Sequence, residues 1–166
     1  MTIRTATSAD DADVGRLCWA YRDLLLEQSR SFPHVLAAYL EQSAYRALIA
    51  DLPRIHARPK GDILLACLGD DVVGCAMYYP LATPGVTEGK RGYVDACARG
   101  SGAGRALVEA TMEAARKDGY ARIVLDTINP LTQAIALYER MGFAPCAPFY
   151  EGDPRHAPYL RFYDHP

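Results

Sequence analysis

The chain has few of the residues from which metal sites and disulfide frameworks are built. It has five cysteines, Cys18, Cys67, Cys75, Cys97 and Cys146, an odd number with no C-x-x-C pair among them. Neither a disulfide scaffold nor a zinc site is expected from that pattern. Its four histidines, His34, His56, His156 and His165, stand at no ligand spacing, so no metal is expected. No run of about 20 apolar residues is available to cross a bilayer, and Met1 to Thr5 holds no apolar signal region. The expectation is a protein of the reducing cytoplasm with no membrane role. Neither sign of charge dominates: 18 Lys and Arg stand against 20 Asp and Glu, for a formal charge of -2. Duplex binding needs a field of cations to displace counterions, so nucleic acid is not expected as the partner. Internal repeats, low-complexity tracts and linkers are also missing.

What is present is enough apolar material for a core. Half of the 166 residues are hydrophobic, which at this length predicts one domain over 1–166 that needs no covalent staple. Ile3 to Ala6 reads as a strand, followed by a turn with a helix N-cap around Ser8 to Asp11. Val14, Leu17, Cys18, Tyr21, Leu24 and Leu25 recur at helical spacing within a helix from about 12 to 29. A second helix is expected from about 35 to 49, with a loop from Asp51 to Gly61. The period then changes. Asp62 to Leu68 and Val72 to Tyr79 form a hairpin about Gly69-Asp70-Asp71. A strand follows from Glu88 to Asp95, then a glycine-rich turn, a helix from Arg105 to Lys117, a strand from Tyr120 to Asp126 and a helix from Thr132 to Met141. Phe143 to Ala147 and Tyr159 to Tyr163 are weaker strands. This order predicts an α/β protein with a mixed sheet and helices packed on it.

The segment that carries chemistry runs from Arg91 to Leu107, where a strand enters the glycine turn and the turn opens a helix. The first N–H groups of a helix lack internal partners and carry partial positive charge. Glycines there remove the Cβ atoms that would block close approach. A phosphate or pyrophosphate is the natural ligand of such a turn, with Arg99 and Arg105 flanking it. A Walker A loop needs Lys and then Ser or Thr after its last glycine, but Gly104 precedes Arg105 and Ala106. A dinucleotide G-x-G-x-x-G beginning at Gly100 and Gly102 meets Arg105 at its third position and fails as well.

Arg99, Gly102 and Gly104 do satisfy Arg/Gln-x-x-Gly-x-Gly/Ala. Downstream, Ala134, Leu137, Tyr138, Gly142 and Phe143 satisfy A-x-x-L-Y-x-x-x-G-F. Upstream, Glu88 to Val94 is similar to E-L-K-R-L-Y-V. With these motifs in this order, the chain resembles the GNAT N-acetyltransferases, closely over about Ile63 to Tyr150 and loosely elsewhere. The resemblance implies the GNAT fold, a mixed and splayed sheet flanked by helices on both faces. It implies acetyl-CoA as co-substrate and direct attack of an amine on the thioester, with a small-molecule amine as acceptor. Tyr93, Val94, Arg99, Gly100, Ser101, Gly102, Ala103, Gly104 and Arg105 would bind the acetyl-CoA, with the Val94 N–H facing the thioester oxygen. Tyr138 would protonate the leaving thiolate. Glu88 is the candidate base, with an ion pair to Lys90 or Arg91 as its structural alternative; Tyr78, Tyr79 and Asp126 are further candidates.

The departures from the family pattern are Gly89 and Gly92, which would thin the strand or mark a bulge, Ala96 in place of a proline, and Leu131 where an Asn is common, with Asn129 two residues earlier. Trp19, Tyr21 and Leu24 to Leu26 are expected in the core, and Gln28 to His34 is the segment that lines the acceptor site in similar proteins. Phe149 to His156 is read either as a cover over the acceptor or as a surface loop. Homodimers are common on this fold. A non-catalytic acyl-CoA sensor, a protein or peptide acetyltransferase, and an unrelated phosphate-binding module are the rival readings.

Overall fold

The computed structural model describes residues 1–166. Seven strands form one sheet in the order β1-β2-β3-β4-β5-β7-β6. They are β1 (Thr2–Thr5), β2 (Asp62–Leu68), β3 (Asp71–Pro80), β4 (Val86–Val94), β5 (Arg122–Ile128), β6 (Ala144–Pro145) and β7 (Leu160–His165). The helices are α1 (Asp11–Gln28), α2 (Ala37–Leu40), α3 (Gln42–Ile55), α4 (Ala103–Lys117) and α5 (Thr132–Arg140). All neighbouring strands run antiparallel except β4 and β5.

The run of apolar residues in β2 is buried on both sides because helices cover both faces of the sheet. Ile63, Leu65 and Cys67, with Cys75 and Met77 of β3, pack against Leu17, Cys18, Tyr45 and Leu52 of α1 and α3. Leu64 and Ala66, with Val73 and Ala76, pack against Ala103 and Leu107 of α4. The pairing of β2 with β3 slips between Ala66 and Cys67. A one-residue slip exchanges the faces of a strand, which is why Val73 lies in the α4 cluster although Cys75, two residues along, lies in the α1 cluster.

Two elements differ from the periodicity reading. The helix expected over about 35–49 is broken at Glu41, between α2 and α3. Glu41 has an extended backbone and its carboxylate accepts from Ser43 N at 3.0 Å and Ala44 N at 2.7 Å. It therefore acts as an N-cap and restarts the helix. The segment expected to loop from Asp51 stays helical through Pro53 to Ile55. Leu52, fully buried, anchors that last turn to the core.

His56 follows α3 and is 3% exposed, with its ring Nδ1 2.9 Å from the carbonyl oxygen of Tyr78. That bond calls for a neutral ring with the proton on Nδ1, and burial pushes the imidazole down to about 4. A depressed native value means that the unfolded chain binds the proton first. Stability is therefore full above about pH 6.5 and falls as pH drops toward 4, by roughly 3 kcal/mol at 1.36 kcal/mol per unit. Urea midpoints measured at pH 7.5 and 4.5 should separate less in His56→Gln than in the wild type. An equal separation in both proteins would remove His56 from the account.

The feature that positions the site is the seam between β4 and β5. Only three residue pairs join them, Val86 with Arg122, Thr87 with Ile123 and Glu88 with Val124. Beyond Glu88, β4 continues along β3 to Val94, while β5 continues along β7 to Ile128. The cause lies in β4. Lys90 pairs with Met77 and Tyr93 with Cys75, so β4 takes three residue steps where β3 takes two. The extra residue sits at Arg91 and Gly92, and Arg91 has φ +50. A bulge of this kind bends its strand and increases its twist. The glycines of β4 flag the bulge in the sequence, but the residue with the left-handed backbone is Arg91.

Candidate active site

Where β4 and β5 part, a cavity of about 590 Å³ opens through the sheet. On the α4 face it is lined by Val108, Thr111, Met112, Ile123, Tyr138 and Phe143. On the α1 face it is lined by Tyr21, Leu25, Val35, Leu36, Tyr39 and Asp126, together with Lys90 and Arg91 from the bulge. The two faces meet at Gly92. A Cβ added to Gly92 would lie 3.5 Å from the Tyr138 hydroxyl, so the phenol on α5 points at the bulged backbone of β4. Burial, with the Asp126 carboxylate adding to it, pushes Tyr138 up to about 12. The phenol keeps its proton throughout the neutral range.

The glycine turn is the continuation of β4. A short 3-10 turn at Ala96–Ala98 leads to Arg99, Gly100, Ser101 and Gly102, all exposed, and then into α4. Gly102 is the N-cap of α4 with φ +87, and no side chain caps the helix. Around the Cα of Gly100 and Gly102 there is open space in the direction a Cβ would take. Ser101 Oγ donates to Ala98 O at 2.7 Å and accepts from Ala103 N at 3.3 Å, so one N–H of the first turn of α4 is engaged. Arg105 pairs with Glu109 at 2.8 Å on the exposed face, whereas Arg99 has no carboxylate within 4 Å. Gly104 lets the first turn of α4 approach α5 and the end of β4: a Cβ there would meet Leu137 at 3.6 Å and Val94 at 3.9 Å. Tyr93, Val94, Arg99, Gly100, Ser101, Gly102, Ala103, Gly104 and Arg105 thus follow Gly92 from the end of β4 into α4, and none of them lines the cavity. An uncapped helix N-terminus with clear approach has the chemistry of an anion site.

On the α1 face, charged groups form a chain. Glu88 is 2% exposed and accepts from the Tyr79 hydroxyl. Its other oxygen lies 2.5 Å from Lys90 Nζ, which also donates to Asp126 at 2.7 Å. Asp126 in turn accepts from Tyr150 at 2.8 Å. Burial opposes the charge on Lys90, but Asp126 and Glu88 outweigh it and hold the ammonium above its ordinary value.

This geometry revises the expectation for Glu88. The carboxylate sits behind Lys90, closed off by Tyr79, and does not line the cavity. Asp126 does line it. Tyr79 is the lid on Glu88, and Tyr78 lies elsewhere, donating to Asp118 at 2.6 Å beside Arg58.

Three further sequence readings change. Tyr21 and Leu25 join the core as expected and also line the cavity, whereas Leu26, expected in the core, is 42% exposed. Phe32, within the segment 28–34, is buried and stacked on Tyr159 at 4.6 Å, so the wall of the cavity comes from Val35, Leu36 and Tyr39 instead. Residues 148–157 cover the cavity through Pro148, Tyr150, Asp153 and His156. Asn129 donates to Pro158 O at 2.7 Å, tying this cover to the end of β5. Lys90 carried a signal in the sequence, a charge inside a strand, but its partner Asp126 comes from β5 and was not visible there.

The comparisons with known proteins agree with this geometry. A model of the acetyltransferase (GNAT) family matches residues 21–143. An uncharacterised N-acetyltransferase of Schizosaccharomyces pombe is 34% identical over 116 residues, covering 68% of this chain and 70% of that protein. The IAA acetyltransferase of Azospirillum brasilense is 37% identical over 100 residues, covering 59% of this chain and 65% of that one. The crystal structure of a GNAT-family acetyltransferase from Staphylococcus aureus superposes with a TM-score of 0.73 at 18% identity, covering 98% of this chain and 96% of that one. No helix of the protein is long and apolar enough to cross a membrane. With the splayed sheet, the uncapped glycine turn and the family match in agreement, the chain belongs to the GNAT acetyltransferase family.

Proposed function

We propose that the protein transfers an acetyl group from acetyl-CoA to the primary amine of a small molecule by direct attack. The observation that carries this reading is the opening at Gly92, where the Tyr138 hydroxyl faces the bulged strand and the cavity joins the two faces of the sheet. The pyrophosphate of acetyl-CoA would rest on the α4 N-terminus at Arg99 to Arg105, with its thioester arm running along Tyr93 and Val94. The amine would arrive from the α1 face. The Val94 N–H is assigned to the developing oxyanion, where a single donor is worth about 10²–10³ in rate.

The role of Tyr138 follows from magnitudes. A phenol at about 12 cannot give its proton outright to a thiolate near 8.5, because the transfer is uphill by roughly 4–5 kcal/mol. Tyr138 instead donates a hydrogen bond to the departing sulfur, and the proton that completes the thiol comes from the ammonium formed by attack. Asp126, on the cavity wall, holds and orients the incoming ammonium, which loses its proton to water before attack. Glu88 acts through Lys90, holding it against Asp126, and is a positioning residue.

A small acceptor is favoured over a protein lysine because residues 148–157 roof the α1 side, and a relative carries the name IAA acetyltransferase.

The test is thiol release from acetyl-CoA with a panel of amines, run beside thermal shifts with acetyl-CoA and CoA. Tyr138→Phe should lower kcat by about 10²-fold and leave KM and the CoA shift unchanged. A shift without release for every amine would mean a binding protein and end the transferase reading.

A further inference from the structure

One charge in the cavity has no counterpart. Arg91 is 7% exposed and lines the cavity. No carboxylate lies within 4 Å of its guanidinium, and its Nε is buried without a hydrogen-bond partner. Tyr21 and Tyr39, which share the cavity wall with it, are neutral phenols at pH 7 and supply no counter-charge. Buried guanidinium groups are ordinarily paired, because desolvation of the charge is otherwise uncompensated. The φ of +50 that aims this side chain is itself unfavourable for a residue with a Cβ. An arginine held in this way, in the wall of a cavity, presents a planar fork of donors that suits a carboxylate.

The other half of the pattern lines the same cavity. Glu88 and Asp126 both contact Lys90, so two carboxylates against one ammonium leave one negative charge, exposed to the cavity at Asp126. One uncompensated positive and one uncompensated negative charge thus share the α1 side, among Leu25, Leu36, Met77, Ile128 and Leu131. We propose that the acceptor is a free amino acid with an apolar side chain, its carboxylate held by Arg91 and its amine directed to Asp126. A peptide N-terminus lacks that carboxylate, since its first carbonyl is an amide. The inference rests on the transferase reading above and narrows it.

The probes are L-phenylalanine and L-phenylalaninamide, which differ only in the carboxylate, compared in the wild type, Arg91→Gln and Arg91→Lys. A CoA thermal shift on each variant reports whether it folds. The wild type should prefer the acid by at least about tenfold in kcat/KM. Arg91→Gln should erase that preference through KM for the acid while leaving the amide within a few-fold, and Arg91→Lys should keep part of it. Equal use of acid and amide by the wild type, or an equal loss for both in Arg91→Gln, would overturn the proposal and leave the transferase reading standing. Absence of release with every amine would instead strike the transferase reading. Calorimetric titration of L-phenylalanine into the CoA-saturated protein then decides this proposal on its own: binding weakened by Arg91→Gln supports it, and no binding, or binding unaltered by the substitution, overturns it.

Discussion

Replacement of Lys90 by methionine is expected to lower the free energy of unfolding by about 1–3 kcal/mol, between the level of an exposed ion pair and that of a buried one, because the Lys90 and Asp126 side chains are 25% and 19% exposed. The ammonium lies 2.5 Å from Glu88 and 2.7 Å from Asp126, and the Glu88 residue is 2% exposed. Methionine keeps most of the volume, so the loss reports charge and not packing. Without the ammonium two carboxylates face one another in a desolvated seam, at the last residue pair joining β4 to β5. Protonation of either one relieves the repulsion. Glu88→Gln in the Lys90→Met background removes one of the two charges and should recover part of the loss, a non-additivity that a double-mutant cycle reads directly. Urea unfolding of the four proteins gives the measurement. A loss below about 1 kcal/mol, the level of an exposed pair, would show that water reaches the cluster freely.

The second large effect lies at the other end of β4. Gly102→Val should weaken acetyl-CoA binding by 100-fold or more and abolish the thermal shift, which at 100 times Kd corresponds to about 2.7 kcal/mol. Gly102 has φ +87 at the N-cap of α4, and a β-branched residue is an outlier there. A side chain would also fill the open space over the first N–H groups of the helix. These two causes can be separated. Gly69, in the turn between β2 and β3, has φ +61 with the same open surroundings and is far from the cavity in the fold. Gly69→Val should incur similar backbone strain, of order 1–2 kcal/mol, with the CoA shift intact. Gly102→Asn tolerates the backbone better and should still weaken the ligand. If Gly102→Val binds acetyl-CoA as the wild type does, the α4 N-terminus is not the phosphate site.

Much of this protein could be read before its structure was known. The change from period 3.6 to period 2 after Gly61 marked the passage from helices to sheet, and the strand and helix order downstream of it agrees with the observed elements. Errors fell where local signals compete. The apolar rhythm runs unbroken across Glu41, but a capping carboxylate restarts the helix there. The proline signal at 53 suggested a loop, but burial of Leu52 holds the last turn. The glycine turn was legible as a turn because glycine spacing records backbone conformation directly, and Gly100 and Gly102 have positive φ.

What the sequence alone determined is the family, the order of elements and the run from Tyr93 to Arg105, since these depend on periodicity and on motifs contiguous in the chain. What the tertiary structure alone decided is the polar arrangement of the α1 face. It put Glu88 behind Lys90, brought Asp126 to the cavity wall, gave Tyr21 a place in that wall as well as in the core and left Arg91 without a partner. Those outcomes depend on which residues of β4, β5, α1 and the 148–157 cover face one another across the splayed seam. That pairing is fixed by the bulge at Arg91, and one inserted residue in a strand exchanges inside for outside without leaving a periodic trace.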